Sequence, residues 1–228
     1  MKGLSIEERQ RRSAAALSDI YWSRPARRTL PRGDQGALFD FAADYIGPDV
    51  PVTCLEFGVG RGVSIGRLAG AFTSRRSRFV GFDSFAAPPA GGPVAMSVPL
   101  RGTYATDGHP PAMADTRVTF VKGWFQDTVP AYLRTNPLDR TRIPLVHFDA
   151  DLYGSDLFLL TTLWHATGSY FFIFDDFLHD DAAALADFMR AYPVAVEFIA
   201  QTRGGGDRPY PARVFGHLRR ADMAPPTH

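Results

Sequence analysis

Pro144-Leu-Val-His-Phe-Asp149-Ala-Asp151-Leu-Tyr-Gly-Ser155 and Tyr170-Phe-Phe-Ile-Phe-Asp175-Asp176-Phe177 decide how this chain is read. Each begins as an apolar run, the pattern of a strand buried on both faces. Each ends in carboxylates, Asp149 and Asp175 lying 26 positions apart. Strands of an open α/β sheet present ligands at their carboxyl ends. Four acids gathered at one sheet edge repel each other, a pair at about 4 Å costing roughly 4 kcal/mol at an effective dielectric of 20. Such a cluster calls for a cation, a shared proton or a substrate, and an all-oxygen site suits Mg2+.

The same alternation continues on either side of these runs. Apolar runs at 52–57, 78–82, 118–121, 143–148 and 170–174 read as strands, and amphipathic stretches at 64–72, 127–134, 155–166 and 181–192 as helices, with Ser155 a cap. Two last strands, 194–200 and 212–218, flank the turn Arg203-Gly-Gly-Gly-Asp-Arg-Pro209 with no helix between them. The fold expected is α/β: a doubly wound, mostly parallel sheet of seven strands ending in an antiparallel hairpin on one edge. Before it, 5–18 reads as a polar helix capped by Ser5 and Glu8, 22–35 as a basic arm broken by Pro25, Pro31 and Gly33, and 37–46 as an amphipathic helix. The expected organisation is a helical arm at 1–48, the main domain at 49–220 and a tail at 221–228. Residues 86–117, rich in Pro and Gly, form a gap long enough to be an acceptor lid.

Composition excludes several classes. The 228 residues are 45% hydrophobic and 21% charged with a net charge of +1, so nothing global argues for nucleic acid or an anionic membrane. Arg9, Arg11, Arg12, Arg24, Arg27, Arg28 and Arg32 make the arm locally basic, which reads as a solvated or packing face, or as a place for an anionic group or partner chain. The single cysteine, Cys54, lies in an apolar run and reads as a buried inert thiol. The polar start of the chain does not resemble a secretory signal, and no apolar run reaches 18 residues, so the expected location is cytoplasmic and off the membrane. Apolar residues in the N-terminal helices point to a homodimer.

The loop Leu55-Glu56-Phe57-Gly58-Val59-Gly60-Arg61-Gly62-Val63-Ser64 joins the first of these sheet strands to its helix. Glycines there let the backbone turn sharply and approach a ligand, and the helix N-terminus behind them offers free N–H groups. A dinucleotide site and a purely structural turn share this pattern. Asp83, at the end of the next strand, is placed to accept hydrogen bonds from ribose hydroxyls. Glu56 suits a cationic partner such as an amino group; salt bridging to an arginine is its plainer reading, as capping is for Asp83. His147 lies inside its strand, where packing is the simplest account.

Together these pieces resemble the macrocin O-methyltransferase family, which methylates sugar hydroxyls on antibiotics. The resemblance is carried in order by Glu56-Phe-Gly-Val-Gly-Arg-Gly-Val-Ser64, Gly81-Phe-Asp83-Ser84-Phe85, Gly123-Trp-Phe-Gln-Asp-Thr-Val-Pro130, Asp149-Ala-Asp-Leu-Tyr-Gly-Ser155 and Gly168-Ser-Tyr-Phe-Phe-Ile-Phe-Asp-Asp176. It spans roughly residues 50–190 and departs from the pattern at Gly154, where the family has glutamate. It implies a Rossmann-like, class I S-adenosyl-L-methionine-dependent methyltransferase. It implies the cofactor over Glu56, Gly58, Gly60, Ser64, Asp83 and Ser84, with Gly123, Trp124, Phe125 and Asp127 near the adenine. It implies Mg2+ or another divalent cation on Asp149, Asp175 and Asp176, and Asp151 as general base; His179 is the alternative base. Asp151 also reads as an orienting carboxylate or a helix cap, and Trp124, Phe125 and Tyr153 as core aromatics. The implied partner is a small-molecule acceptor of glycosylated type.

Alcohol methylation explains why such residues are needed. An alcohol like water has a pKa of about 15.7 and aspartate about 3.9, a gap of roughly 12 units or about 16 kcal/mol. A carboxylate alone does not bridge it; a coordinated cation narrows it and holds a vicinal diol in line. The same acid spacing also serves an O-methyltransferase for catechols or other aromatic diols. A cofactor-binding fold acting only as a partner protein is the remaining alternative, although it has no use for four gathered acids.

Overall fold

Two apolar layers, one on each face of a single mixed sheet, organise the chain. The computed structural model describes residues 6–31, 35–86, 106–138, 141–150, 152–177, 180–203 and 211–223. The strands are β1 (Arg28–Leu30), β2 (Val52–Phe57), β3 (Arg78–Asp83), β4 (Val118–Lys122), β5 (Ile143–Phe148), β6 (Ser169–Phe174), β7 (Val194–Arg203) and β8 (Pro211–Arg220). The helices are α1 (Ile6–Ile20), α2 (Gln35–Ile46), α3 (Val63–Ala71), α4 (Phe125–Thr135), α5 (Tyr153–Ala166) and α6 (Asp180–Ala191). The strand order is β1-β7-β8-β6-β5-β2-β3-β4. All pairings are parallel except those of β8 with β6 and β7.

The expected doubly wound sheet with its antiparallel hairpin is therefore present, with one correction. Among the described residues the sheet has eight strands, because Arg28–Leu30 in the basic arm pairs with Ala200–Thr202 of β7 and forms the outer edge. Three residues beside prolines carry no readable period; the pairing partner fixes their conformation, and a short edge strand is a common way to close off a sheet.

Alternation along β2 sorts the layers. Leu55 and Phe57 join the core beneath α1, α4, α5 and α6, whereas Val52 and Cys54 join the core beneath α2 and α3. By the same parity Glu56 on β2, His147 on β5 and Ile173 on β6 face the α2/α3 side, where Phe39 of α2 meets the His147 ring edge-on at 5.2 Å. Cys54 is buried and free, and burial, with Glu56 nearby, pushes its thiol up.

The N-terminal segment is packed down. Ala16 and Leu17 of α1 are buried in one core, and Leu38, Phe39, Ala42 and Ala43 of α2 in the other, so the apolar residues that pointed to a homodimer lie against the chain itself. Arg12 lies over the Tyr153 ring at 4.4 Å and pairs with Asp187, and Arg27 pairs with Glu197 at 2.7 Å. Part of the basic arm is thus a packing face. Arg24 and Arg27 line a cleft of about 390 Å³ with His217 and Arg219, beside the start of β7.

Two local expectations change. Helix α5 begins at Tyr153 after an extended Leu152, so Ser155 lies inside it rather than capping it. Ser5 and residues 87–105 of the expected lid lie outside the described residues. The rest of that segment is anchored. Arg117 donates to the carbonyls of Ala69, Phe72 and Ser74 at the end of α3 and is held by Asp115, and Pro111 and Met113 sit against Gly62.

Candidate active site

Main-chain hydrogen bonds across the carboxyl ends of the parallel strands bring the expected site residues into one row. Gly58 N donates to Phe82 O (3.0 Å), Asp149 N to Phe57 O (2.9 Å), Asp175 N to Phe148 O (3.0 Å) and Gly123 N to Asp83 O (2.9 Å). Each residue is the first beyond its strand, so parallel register alone sets the glycine loop beside Asp149, and Asp149 beside Asp175. The approach is close. Gly58 has φ of 94°, and a Cβ there would lie 1.9 Å from the Asp149 carbonyl oxygen. The glycine is required by the neighbouring strand end as well as by any ligand.

The donor side is held by backbone. Asp83 Oδ2 accepts from Val59 N (2.8 Å) and Gly60 N (2.9 Å), and Oδ1 from Phe85 N (2.7 Å). A carboxylate offers about four lone-pair sites, so roughly one remains for a ribose hydroxyl. Ser84 closes a small turn with Ala86. Gly123 precedes Trp124, whose side chain stands out 51% exposed at the start of α4, an unusual place for an indole without a ligand or partner face. Phe125 instead packs edge-on against Phe57 at 5.6 Å, and Asp127 sits exposed in the first turn of α4.

Glu56 and Ser64 meet each other. Glu56 is fully buried; Ser64 Oγ donates to its Oε1 (2.9 Å) and His147 Nδ1 lies 3.0 Å from its Oε2. Both oxygens are thus engaged, and the pair ties the glycine loop to β5 from beneath.

The acid side is held by side-chain cations. His147 Nε2 lies 3.8 Å from Asp175 Oδ1, an ion-pair separation rather than a hydrogen bond. Burial alone would push this imidazole down; Asp175 and Glu56, with Asp149 behind them, outweigh it and carry it up to about 10. Arg213 of β8 forms a fork on Asp175, Nε to Oδ1 at 2.7 Å and a terminal nitrogen to Oδ2 at 3.2 Å. Burial opposes ionisation of Asp175, but His147 and Arg213 hold its carboxyl well below the usual range. Asp176 and Asp149 add to the field at Arg213. Asp151 and His179 lie outside the described residues.

Arg213 is what sequence reasoning missed, and His147, read there chiefly as packing, proves to bridge Glu56 and Asp175. A signal existed for Arg213. A cation at the start of an antiparallel strand lands beside the carboxyl end of its parallel neighbour, and Val214 pairs with Phe174, directly before Asp175.

Do these residues suit a hard divalent cation? The donor set does: Asp149, Asp175 and Asp176 offer carboxylate oxygens only. Among the described residues no three His, Cys, Asp or Glu side chains are grouped tightly enough to hold a metal, and Asp175 is engaged by Arg213. The residues fit in kind, with Arg213 as the group that must yield.

Residues 111–199 match the macrocin O-methyltransferase (TylF) family model. Over that stretch the chain is similar to O-methyltransferases. The match takes in three of the five motifs, those at 123–130, 149–155 and 168–176, and solved structures agree on the fold. The O-methyltransferase NovP is 20% identical with a TM-score of 0.54, covering 82% of this chain and 79% of its own. Cofactor-bound Rv0187 from MTB is 21% identical with a TM-score of 0.50, covering 93% and 91%. CalS11, a TDP-rhamnose 3'-O-methyltransferase of calicheamicin biosynthesis, is 26% identical with a TM-score of 0.49, covering 96% of both chains. No curated protein sequence matches significantly. Among the described residues no helix is long and apolar enough to cross a membrane.

Proposed function

We propose that this protein is an S-adenosylmethionine-dependent O-methyltransferase acting on a hydroxyl of a sugar carried by a glycosylated small molecule, with Mg2+ or another divalent cation on Asp149, Asp175 and Asp176. The observation that carries the reading is the contact of donor loop and acid edge. A Gly58 Cβ would sit 1.9 Å from the Asp149 carbonyl, so a methyl donor on the loop and an acceptor on the acids meet within one site. The match to a family that methylates sugar hydroxyls supports the acceptor class.

S-adenosylmethionine, when bound, supplies the methyl group as an electrophilic sulfonium. Asp83 accepts a ribose hydroxyl on its remaining lone pair while keeping Val59, Gly60 and Phe85 in place. Trp124, exposed at the start of α4, would cover the adenine, with Gly123, Ser84 and Asp127 near it; Phe125 packs against Phe57 behind. Glu56 and Ser64 tie the start of α3 to β2, which holds the loop of Gly58 and Gly60 where a donor would bind. A divalent cation on the acid edge supplies Lewis acidity that lowers the pKa of an acceptor hydroxyl. Asp151 receives the hydroxyl proton, with His179 the alternative acceptor.

A transfer assay with labelled cofactor, run on glycosylated natural products and on aromatic diols, with and without a chelator, tests this. Labelled glycosides, lost on chelation and restored by Mg2+, are expected. Label in aromatic diols alone overturns the sugar assignment, and transfer indifferent to the chelator overturns the metal.

A further inference from the structure

We propose that Arg213 is a displaceable latch on the acid edge: its guanidinium holds Asp175 until a divalent cation takes its place. The inference rests on the reading of Asp149, Asp175 and Asp176 as a cation site and concerns how that site is kept when no cation is bound.

Three observations carry it. The Arg213 fork engages both oxygens of Asp175, at 2.7 and 3.2 Å, in the planar two-point geometry that guanidinium and carboxylate share. The guanidinium also feels Asp176 and Asp149, so it is the counter-charge of all three expected ligands. Its side chain is 24% exposed, against 9% for Asp175, and it lies on the third residue of β8, next to the hairpin end of that strand. The cation has solvent on one side and a short strand end beneath it, so it can swing away; the carboxylate cannot.

Exclusion follows from charge and geometry. Mg2+ binds oxygen at about 2.0–2.1 Å in near-octahedral order. Guanidinium carries donors only and has no lone pair to offer a metal. Two cations on the same two oxygens repel strongly in a half-buried site. Arg213 and a metal therefore occupy Asp175 in turn, while His147 stays behind to orient it. Without the latch, three carboxylates would face one another with one fewer cation to offset them. With it, they are held ready at the cost of metal affinity. Arg213 lies beyond the matched residues 111–199, so the latch belongs to the terminal hairpin of this chain.

Calorimetric titration of the full chain with Mn2+, in the absence of cofactor and acceptor, reads the latch directly. Arg213→Gln should bind Mn2+ at least tenfold more tightly than the unsubstituted protein, about 1.4 kcal/mol. Arg213→Lys, which keeps the charge but loses the fork, should fall between them and serves if Arg213→Gln does not fold. Equal or weaker Mn2+ binding in the folded variants overturns the latch alone. Absence of Mn2+ binding in every protein overturns the latch together with the cation site.

Discussion

Asp83 and Asp175 stand at the carboxyl ends of parallel strands in one sheet, yet they are satisfied in opposite ways. Asp83 is surrounded by main-chain N–H groups from the glycine loop and its own turn. Asp175 is surrounded by side-chain cations, His147 beneath and Arg213 alongside. Backbone donors cannot leave, so the donor end is built to one geometry. A guanidinium can leave, so the acid end can exchange one counter-charge for another. The difference fits the tasks proposed for them: a donor held by fixed backbone, and an edge that would take up a cation and an acceptor.

Removing the buried cation should break the comparison most severely. His147→Ala leaves Glu56 and Asp175 facing each other in the core, and loss of one partner from such a pair costs about 3–5 kcal/mol. The same group sets a pH window. Its folded pKa of about 10 lies above its ordinary 6.5, so its contribution is complete below about 6.5 and declines as pH rises through about 10. Denaturant midpoints followed from pH 6 to 10 should fall in the unsubstituted protein and stay flatter in His147→Gln.

Gly58→Ala attacks both ends together. The added methyl meets the Asp149 carbonyl and imposes a side chain at a φ of 94°, for a loss of about 3 kcal/mol in unfolding measurements. Asp83→Ala strikes the donor end alone. It strands the N–H groups of Val59, Gly60 and Phe85, costing about 2 kcal/mol. Calorimetry should then find cofactor affinity at least tenfold weaker, about 1.4 kcal/mol. The smallest effect is expected at Gly154, in the first turn of α5 with nothing within 4 Å of a Cβ. Gly154→Ala should raise stability by up to about 1 kcal/mol and leave cofactor binding unchanged.

The donor end was the more legible in sequence. Glycine spacing, the buried run at 52–57 and Asp83 at the end of the next strand all lie within one βαβ unit, where local pattern dictates local structure. The acid end depends on pairing across long separations. Asp149, Asp175 and Asp176 were readable because each follows an apolar run. Arg213 was not singled out, because its partner is set by the antiparallel return of β8. The burial of Glu56 against Ser64 and His147 escaped for the same reason: the register of β2 with β5, rather than any spacing along the chain, puts Glu56 opposite His147. Strand β1 escaped because three arm residues take their conformation from β7.

The central claim is that a fixed donor end and an exchangeable acid end form one site with separable duties. Cofactor binding and single-turnover methyl transfer, measured side by side in Asp149→Asn, test it most directly. Cofactor affinity within about threefold of the unsubstituted protein, with transfer slowed at least about 100-fold, is the predicted result. Undiminished transfer, or a loss of cofactor binding as large as the loss of transfer, would contradict it.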